Sequence, residues 1–549
     1  MIPRLALVAV GKVVGFPSRV RLWTFDAACR HPRETQEALL HEILATHADT
    51  AFGRDHGFRD ITSAADFRRQ IPIAGYDVIE PYVARVRRGE TSALLADDRV
   101  LMFALTSGTT KARKYVPVTP RYLADYQRGW NRWGLRTLLD HQCISCAPIL
   151  QLAGDDEEFR TEADIPCGSL SGLTARAQKR YMRFLYCYPS VANTIKDSAT
   201  KYYVALRLSI ARPVGMIVSP NPSTLAGLAK ALQSRTEELV RDLHDGTLSA
   251  NLDLPAGVRE LLTPHLKRHK RQATRFDAIA RKADGLWPRD VWRPDRLLLG
   301  TWTGGSVGPY LQQLSDYYGN TFVRDLGLVA SEGRMTIPLE DGTASGVLDV
   351  TTHYFEFIPE AEIDSPQPTV IGAHDVEEGK NYFLVPTTAA GLYRYDLHDL
   401  VRVTGFHGRT PKVEFLSKGS HFSSLTGEKL SEYQVTRAMA EIAGKMLPVY
   451  SLAPCWDDDR PYYGLFVERG ATVDAVALDA ALQHANDEYR SKRSSHRLGP
   501  IRVEWLEPGA WDRWTAARRA KAGGPVEQYK HPCLIGDVGF REAIRARPV

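Results

Sequence analysis

The chain has 549 residues, of which 44% are hydrophobic and 25% charged, with 70 basic against 65 acidic side chains and a formal net charge of +5. That length carries roughly two to four domains, with cores large enough to need no disulfide or metal. The near balance of charge gives no sign of nucleic acid or an anionic membrane as the principal partner.

Taken in chain order, the opening MIPRLALVAVGKVVGF is short, apolar and interrupted by Lys12. It reads as an amphipathic helix packed on the body, not a signal peptide. No run approaches the about 20 apolar residues of a membrane span. Residues 33–47 place Ala38, Leu39, Ile43 and Leu44 on one helical stripe. IPIAGYDVIEPYVARVRRGE predicts a short extended piece and a helix ending near Gly89, and 101–105 is a brief apolar run before a polar loop. The seven cysteines are irregularly spaced, which fits a reducing, cytoplasmic setting. Cys143 and Cys146 form a lone CxxC without a second ligand pair, so two buried thiols are expected there.

ARPVGMIVSPNPSTLAGLAKAL reads as strand, turn and a helix entered at Ser223 or Thr224. LLLGTWTGGSVGPYLQQLSDYYG repeats that shape, with a strand at 297–299 and a helix at 309–318, and NTFVRDLGLVASEG adds a further strand. Strands alternating with helices predict an α/β fold with a mainly parallel sheet. The basic run at 266–275 has no interleaved aromatics and reads as a solvated helix face. Between about 345 and 416 the chain becomes rich in β-branched and aromatic residues with alternation, as in successive antiparallel strands. A boundary is expected at 417–421. Residues 422–549 then read as a small α+β domain of order αββαβα, in which Val435, Met439, Ile442 and Met446 share one helix face.

Four places carry chemistry. The first is FALTSGTTKARKYVPVT, residues 103–119. Gly108 permits close approach of main-chain N–H groups to an anion. Thr106, Ser107, Thr109 and Thr110 add hydroxyls, and Lys111, Arg113 and Lys114 supply charge that neutralises phosphate. An exposed turn is the competing reading, and the spacing is not that of a Walker loop. The second is Ser331-Glu332 at the end of a strand, the third Asp399 in GLYRYDLHDLVRVTGFHG, with Arg402 on the next strand, and the fourth Lys530 in GGPVEQYKHPCLI. Each taken alone also reads as ordinary surface: a strand-end glutamate, a turn aspartate and one cation of a basic tail.

TSGTTKARK resembles the phosphate-loop signature of adenylate-forming enzymes, whose last lysine falls on Lys114. With the flanking segments it resembles the Gretchen-Hagen-type acyl acid amido synthetases, the auxin-responsive amide synthetases of plants and their bacterial relatives, and the chain is identified as a bacterial-type member. The resemblance runs from about residue 60 to the end. It implies a firefly-luciferase-like architecture: a large adenylation domain at 1–416, a hinge at 417–421 and a mobile domain at 422–549. It implies ATP and Mg²⁺ as cofactors, with the phosphates on Thr106, Ser107, Gly108, Thr109, Thr110 and Lys114. Ser331 and Glu332 would face nucleotide and metal, Asp399 the ribose, Arg402 a phosphate or a carboxylate, Lys418 ribose or phosphate, and Lys530 the adenylation step. The implied activity is a carbon–nitrogen ligase that activates a carboxylic acid as its adenylate and passes the acyl group to an amine, an amino acid first among them, releasing AMP and pyrophosphate. A ligase with coenzyme A or another acceptor, and a non-catalytic nucleotide-binding scaffold, are the alternatives. The chain departs from the family at four points. Lys111 stands where a second glycine is usual, Arg113 near where bacterial members often have proline, Leu328 where the plant form has tyrosine, and Leu397-His398 where Val-Gly is usual, which leaves that turn's geometry open.

Overall fold

The computed structural model describes residues 16–97, 99–106, 113–178, 182–363, 365, 367–419, 422–426, 428, 430–442, 447–456, 461–495, 497–522 and 531–545. Residues 1–15 of the expected N-terminal helix lie outside them. The helix Pro32–His47 forms as predicted, but its buried face is Gln36, Leu39, Leu40, Ile43, Leu44 and His47, with Ala38 exposed. The stripe is rotated because the Gln36 amide works inside. Its Nε2 donates to the carbonyls of Val350 and His353 at 2.9 and 2.7 Å, and its Oε1 accepts from the Phe355 N–H at 2.7 Å. A buried amide with its bonds made is tolerated where an unpaired one is not.

The parallel sheet consists of Ile149–Gln151, Met216–Val218, Leu298–Gly300 and Phe322–Arg324, in that order. Its crossovers are helical, as parallel strands require. After Met216–Val218 the chain enters the helix Pro222–Ser234, where Asn221 Oδ1 accepts from the Ser223 N–H at 2.9 Å and Pro222 opens the first turn. This cap places the helix start a residue ahead of the predicted one. Leu225, Leu228, Leu232, Leu297, Leu299, Leu314 and Tyr318 bury together around this sheet.

Beside it stands a sheet of order Lys114–Val118, Met102–Thr106, Pro166–Gly168, Phe159–Arg160. The predicted β-rich stretch forms a seven-stranded antiparallel sheet that includes His353–Pro359, Asn381–Thr388, Asp399–His407 and Thr410–Lys418 as neighbours in that order. Phe355, Phe357, Leu384, Val401 and Val403 carry its inner face into the core shared with Phe103 and Val116. That shared core fixes the 102–118 hairpin against the β-rich sheet.

Beyond Lys418 the helix Glu432–Ile442 packs on a three-stranded sheet, Tyr450–Trp456, Pro461–Glu468 and Arg502–Leu506. Val435 and Met439 are buried and Ile442 is partly so; Met446 lies outside the described residues. This unit has its own core of Leu452, Leu465, Leu478 and Leu482. All seven cysteines are unbridged, and Cys143 and Cys146 are only partly buried. Among the described residues no cluster of three or more His, Cys, Asp or Glu suits a metal, and no helix is long and apolar enough to cross a membrane.

Candidate active site

Two hairpins and one strand pair build the site. In the first hairpin Met102–Thr106 pairs with Lys114–Val118, and Thr106 opposite Lys114 is the last rung. The connection between them carries Ser107, Gly108, Thr109, Thr110 and Lys111, which lie outside the described residues. Both feet are fixed. The Lys114 Nζ donates to the Tyr395 hydroxyl at 3.1 Å and lies 5.8 Å from the Tyr76 ring centroid. The direct partner of this cation is therefore a neutral phenol. Burial, with Glu332 nearby, pushes the Tyr395 phenol above its ordinary range, so it stays protonated. Arg113 turns aside, 3.9 Å from Glu158 and over the Phe159 ring.

The second hairpin pairs Val329–Ala330 with Gly333–Arg334, leaving Ser331 and Glu332 at its tip. Thr119 Oγ1 accepts from the Tyr122 N–H at 3.1 Å and so caps the helix Pro120–Asp140. From that first turn the Tyr122 hydroxyl donates to the Ser331 carbonyl at 2.7 Å. The Ser331 hydroxyl in turn donates to the Leu105 carbonyl at 3.4 Å. The tip is thus tied to the strand that feeds the first hairpin's loop. The Glu332 carboxyl is buried, and burial raises its pKa. Lys418 and Lys114 act the other way, while Asp399 adds to the rise.

Asp399 and Lys418 face each other across neighbouring strands. The Lys418 Nζ is 2.8 Å from Asp399 Oδ1 and donates to the Leu397 carbonyl at 3.1 Å. The contact is a close ion pair, and among the described residues no other group donates to the carboxylate, which leaves acceptor capacity open. Burial works against the lysine charge, but Asp399 and Glu332 outweigh it and raise the Lys418 pKa.

The preceding turn keeps a left-handed residue although glycine is replaced. His398 has φ +54°, a conformation that costs a non-glycine residue about 1 kcal/mol. Its N–H donates to Asp396 Oδ1 at 2.8 Å, and its carbonyl accepts from the Gly419 N–H at 2.6 Å.

Lys114, Glu332, Asp399 and Lys418 are therefore gathered, with Tyr395 among them. Arg402 is not. Its Nε donates to Asn381 Oδ1 at 3.3 Å, its guanidinium lies 3.5 Å from Glu414, and it covers the Tyr433 ring at 5.2 Å. Of the two roles expected for it, pairing with a carboxylate is the one seen. Lys530 lies outside the described residues, and the residue after it, His531, is buried. The sequence reading missed Tyr76, Tyr122 and Tyr395. Tyr395 sits inside the segment that drew attention to Asp399, four residues before it. A small open cleft adjoins the second hairpin, lined by Trp302, Gly304, Asp325, Leu328, Val329 and Phe415.

Comparison with known proteins decides the family. Residues 21–323 match the GH3 family N-terminal domain, 346–418 the GH3 family central domain and 433–538 the GH3 family C-terminal domain. The chain belongs to the GH3 family. A jasmonoyl–L-amino acid synthetase of Oryza sativa subsp. japonica is 27% identical to this GH3 chain over 93% of it and 94% of the relative. An indole-3-acetic acid-amido synthetase of Arabidopsis thaliana is 26% identical over 97% and 93%. Among solved structures, the GH3.15 acyl acid amido synthetase in complex with 2,4-DB has the same fold, with a TM-score of 0.83 at 19% identity over 96% of this chain and 95% of that one.

Proposed function

We propose that this GH3 protein is an acid–amino acid ligase: it converts a carboxylic acid to its acyl-adenylate with ATP and transfers the acyl group to the amine of an amino acid. One observation carries the reading. Cations and carboxylates from four separated segments, Lys114, Glu332, Asp399 and Lys418, converge around one buried phenol, where a folded chain would otherwise avoid concentrating charge. The names of its relatives, which conjugate acids to amino acids, point the same way.

In this reading the open acceptor positions of Asp399 take the ribose diol. Lys114 and the loop above it, with Thr106, Ser107, Gly108, Thr109 and Thr110, hold the phosphates, and Ser331 faces the nucleotide from the second hairpin. Glu332 suits a magnesium ion that draws its other ligands from phosphate and water, since such ions commonly take only one or two protein carboxylates. Bound there, the ion would offset phosphate charge. A carboxylate oxygen of the acid attacks the α-phosphorus, the bond to the bridging oxygen breaks, and pyrophosphate leaves with its electron pair. The reacting groups are all anions, so positioning and charge neutralisation supply the rate enhancement. The amine then attacks the acyl carbon and AMP departs. Residues 1–416 would form the adenylation body, 417–421 the hinge and 422–549 the part that carries Lys530 to the site, in the cytoplasm.

The test is product analysis. With ATP, Mg²⁺, a panel of aryl, indolyl and aliphatic acids and the standard amino acids, mass spectrometry should find an amide, with one AMP and one pyrophosphate per amide. A thioester formed only when coenzyme A is supplied would replace this reading with the acyl-CoA ligase. Nucleotide binding without any product would replace it with a scaffold.

A further inference from the structure

Arg334 stands out among the buried cations. Two arginines as deeply buried are better satisfied: Arg394 binds Glu356 and the carbonyls of Arg68 and Ile71, and Arg324 binds Asp341 and Asp140. Arg334 is 2% exposed and makes one hydrogen bond, from Nη2 to the Leu326 carbonyl at 2.6 Å, while Nε and Nη1 have no acceptor. Its guanidinium covers the Trp130 ring at 4.5 Å. The side chain crosses the helix Pro120–Asp140 where Gly129 makes room, since a Cβ there would come within 2.5 Å of the Arg334 Cδ. Burial, only partly offset by Tyr126, Asp349 and Asp325, pulls its pKa down to about 10, so it remains a cation.

Its position matters as much as its unmet donors. Arg334 is two residues beyond Glu332, on the returning strand of the hairpin whose tip Glu332 occupies. The facing helix runs in parallel. Tyr122 bonds the Ser331 carbonyl beside Glu332, Tyr126 stacks on Tyr122 with ring centroids 6.0 Å apart, and Tyr126 lies within electrostatic reach of Arg334. A wall of two tyrosines therefore leads from the reacting centre to a cation with spare donors, with Trp130 behind it.

We propose that Arg334 is a specificity-determining residue of the acyl-acid site, and that the acid carries, remote from its reacting carboxylate, an acceptor oxygen that Arg334 binds. This rests on the ligase reading above. A hydroxyl, a ketone or a second carboxylate shares that chemistry. The tyrosines and Trp130 take the apolar body between the two ends.

The experiment measures kcat/KM for acid-dependent exchange of pyrophosphate into ATP, using matched pairs of acids that differ only by a distal hydroxyl, keto or carboxylate oxygen. Each is assayed with the wild-type enzyme, Arg334→Met and Arg334→Lys. The wild type should prefer one oxygen-bearing series by about 10- to 100-fold, as expected for a bond to a charged donor. The series that wins identifies the oxygen. Arg334→Met should erase the preference while keeping exchange with the bare acids, and Arg334→Lys should restore part of it. A wild type that prefers the bare member of every pair overturns the proposal, whether or not the variants fold. So does Arg334→Met lowering every acid by one common factor, which marks a cation that only supports the fold. Absence of exchange with any acid overturns the ligase reading and this inference together.

Discussion

Asp399 is an aspartate at 3% exposure whose nearby cation does not saturate it. That combination is costly unless a ligand completes it. Asp399→Ala should weaken ATP binding about 10- to 100-fold, because two bonds from a vicinal diol to a charged acceptor are lost. Titration calorimetry decides this, and unchanged affinity removes the ribose assignment. Lys114→Ala should leave ATP affinity less affected and lower the adenylation rate by about 100-fold, the usual scale for removing one preorganised charge-stabilising donor. Single-turnover kinetics separates the two effects.

At this scale the sequence told much. Lys114, Glu332 and Asp399 stand in short motifs whose order survives in the chain. Tyr395 and Arg334 were not legible, because what distinguishes them is a tertiary partner or the lack of one. A phenol reaching Lys114 from residues 281 positions away leaves no local pattern. Lys111, the departure that invited most interest, falls outside the described residues.

Among elements, the strand end Lys418-Gly419 is fastened to the turn before Asp399. The Lys418 Nζ reaches the Leu397 carbonyl and Asp399, and the Gly419 N–H reaches the His398 carbonyl. A Cβ on Gly419 would sit 2.1 Å from Phe383 Cε1. Gly419→Ala should therefore cost about 1–3 kcal/mol of stability through overpacking and slow amide formation more than pyrophosphate exchange. Equal slowing of both half-reactions would argue against a pivot here.

The segment from His531 onward is held as firmly. The Cys533 N–H donates to Glu432 Oε1 at 2.6 Å, and the chain bonds Leu452 on both sides. Burial holds the His531 pKa down to about 4, against an ordinary 6.5. Between those values the unfolded chain binds the proton and the folded one does not. Stability is therefore full above about pH 6.5 and falls on acidification toward pH 4, by on the order of 3 kcal/mol for this one group. His531→Gln should flatten that part of the dependence of the unfolding midpoint on pH. His353, also held near 4, supplies a second component that stays. An unchanged pH slope in the variant would contradict the burial of His531.

Element boundaries were readable where the apolar period is clear, as at Pro32–His47. The buried face of that helix was misplaced because the Gln36 amide works inside, and the start of the helix at Pro222 slipped because Asn221 caps it.

For the whole molecule, the division into a parallel sheet, an antiparallel sheet and a small terminal unit follows from changes of hydrophobic period along the chain, so it was legible early. How the units meet was not. Arg402 on Tyr433 and the Leu447 N–H on Gln312 Oε1 at 2.5 Å join side chains and backbone far apart in sequence. The central claim is that the assembled site adenylates a carboxylic acid, and acid-dependent exchange of labelled pyrophosphate into ATP tests it most directly. The account expects exchange that needs Mg²⁺ and an acid, needs no amino acid, and falls at least about 10-fold in Asp399→Ala. A folded, ATP-binding protein that shows no exchange across aryl, indolyl and aliphatic acids would contradict it.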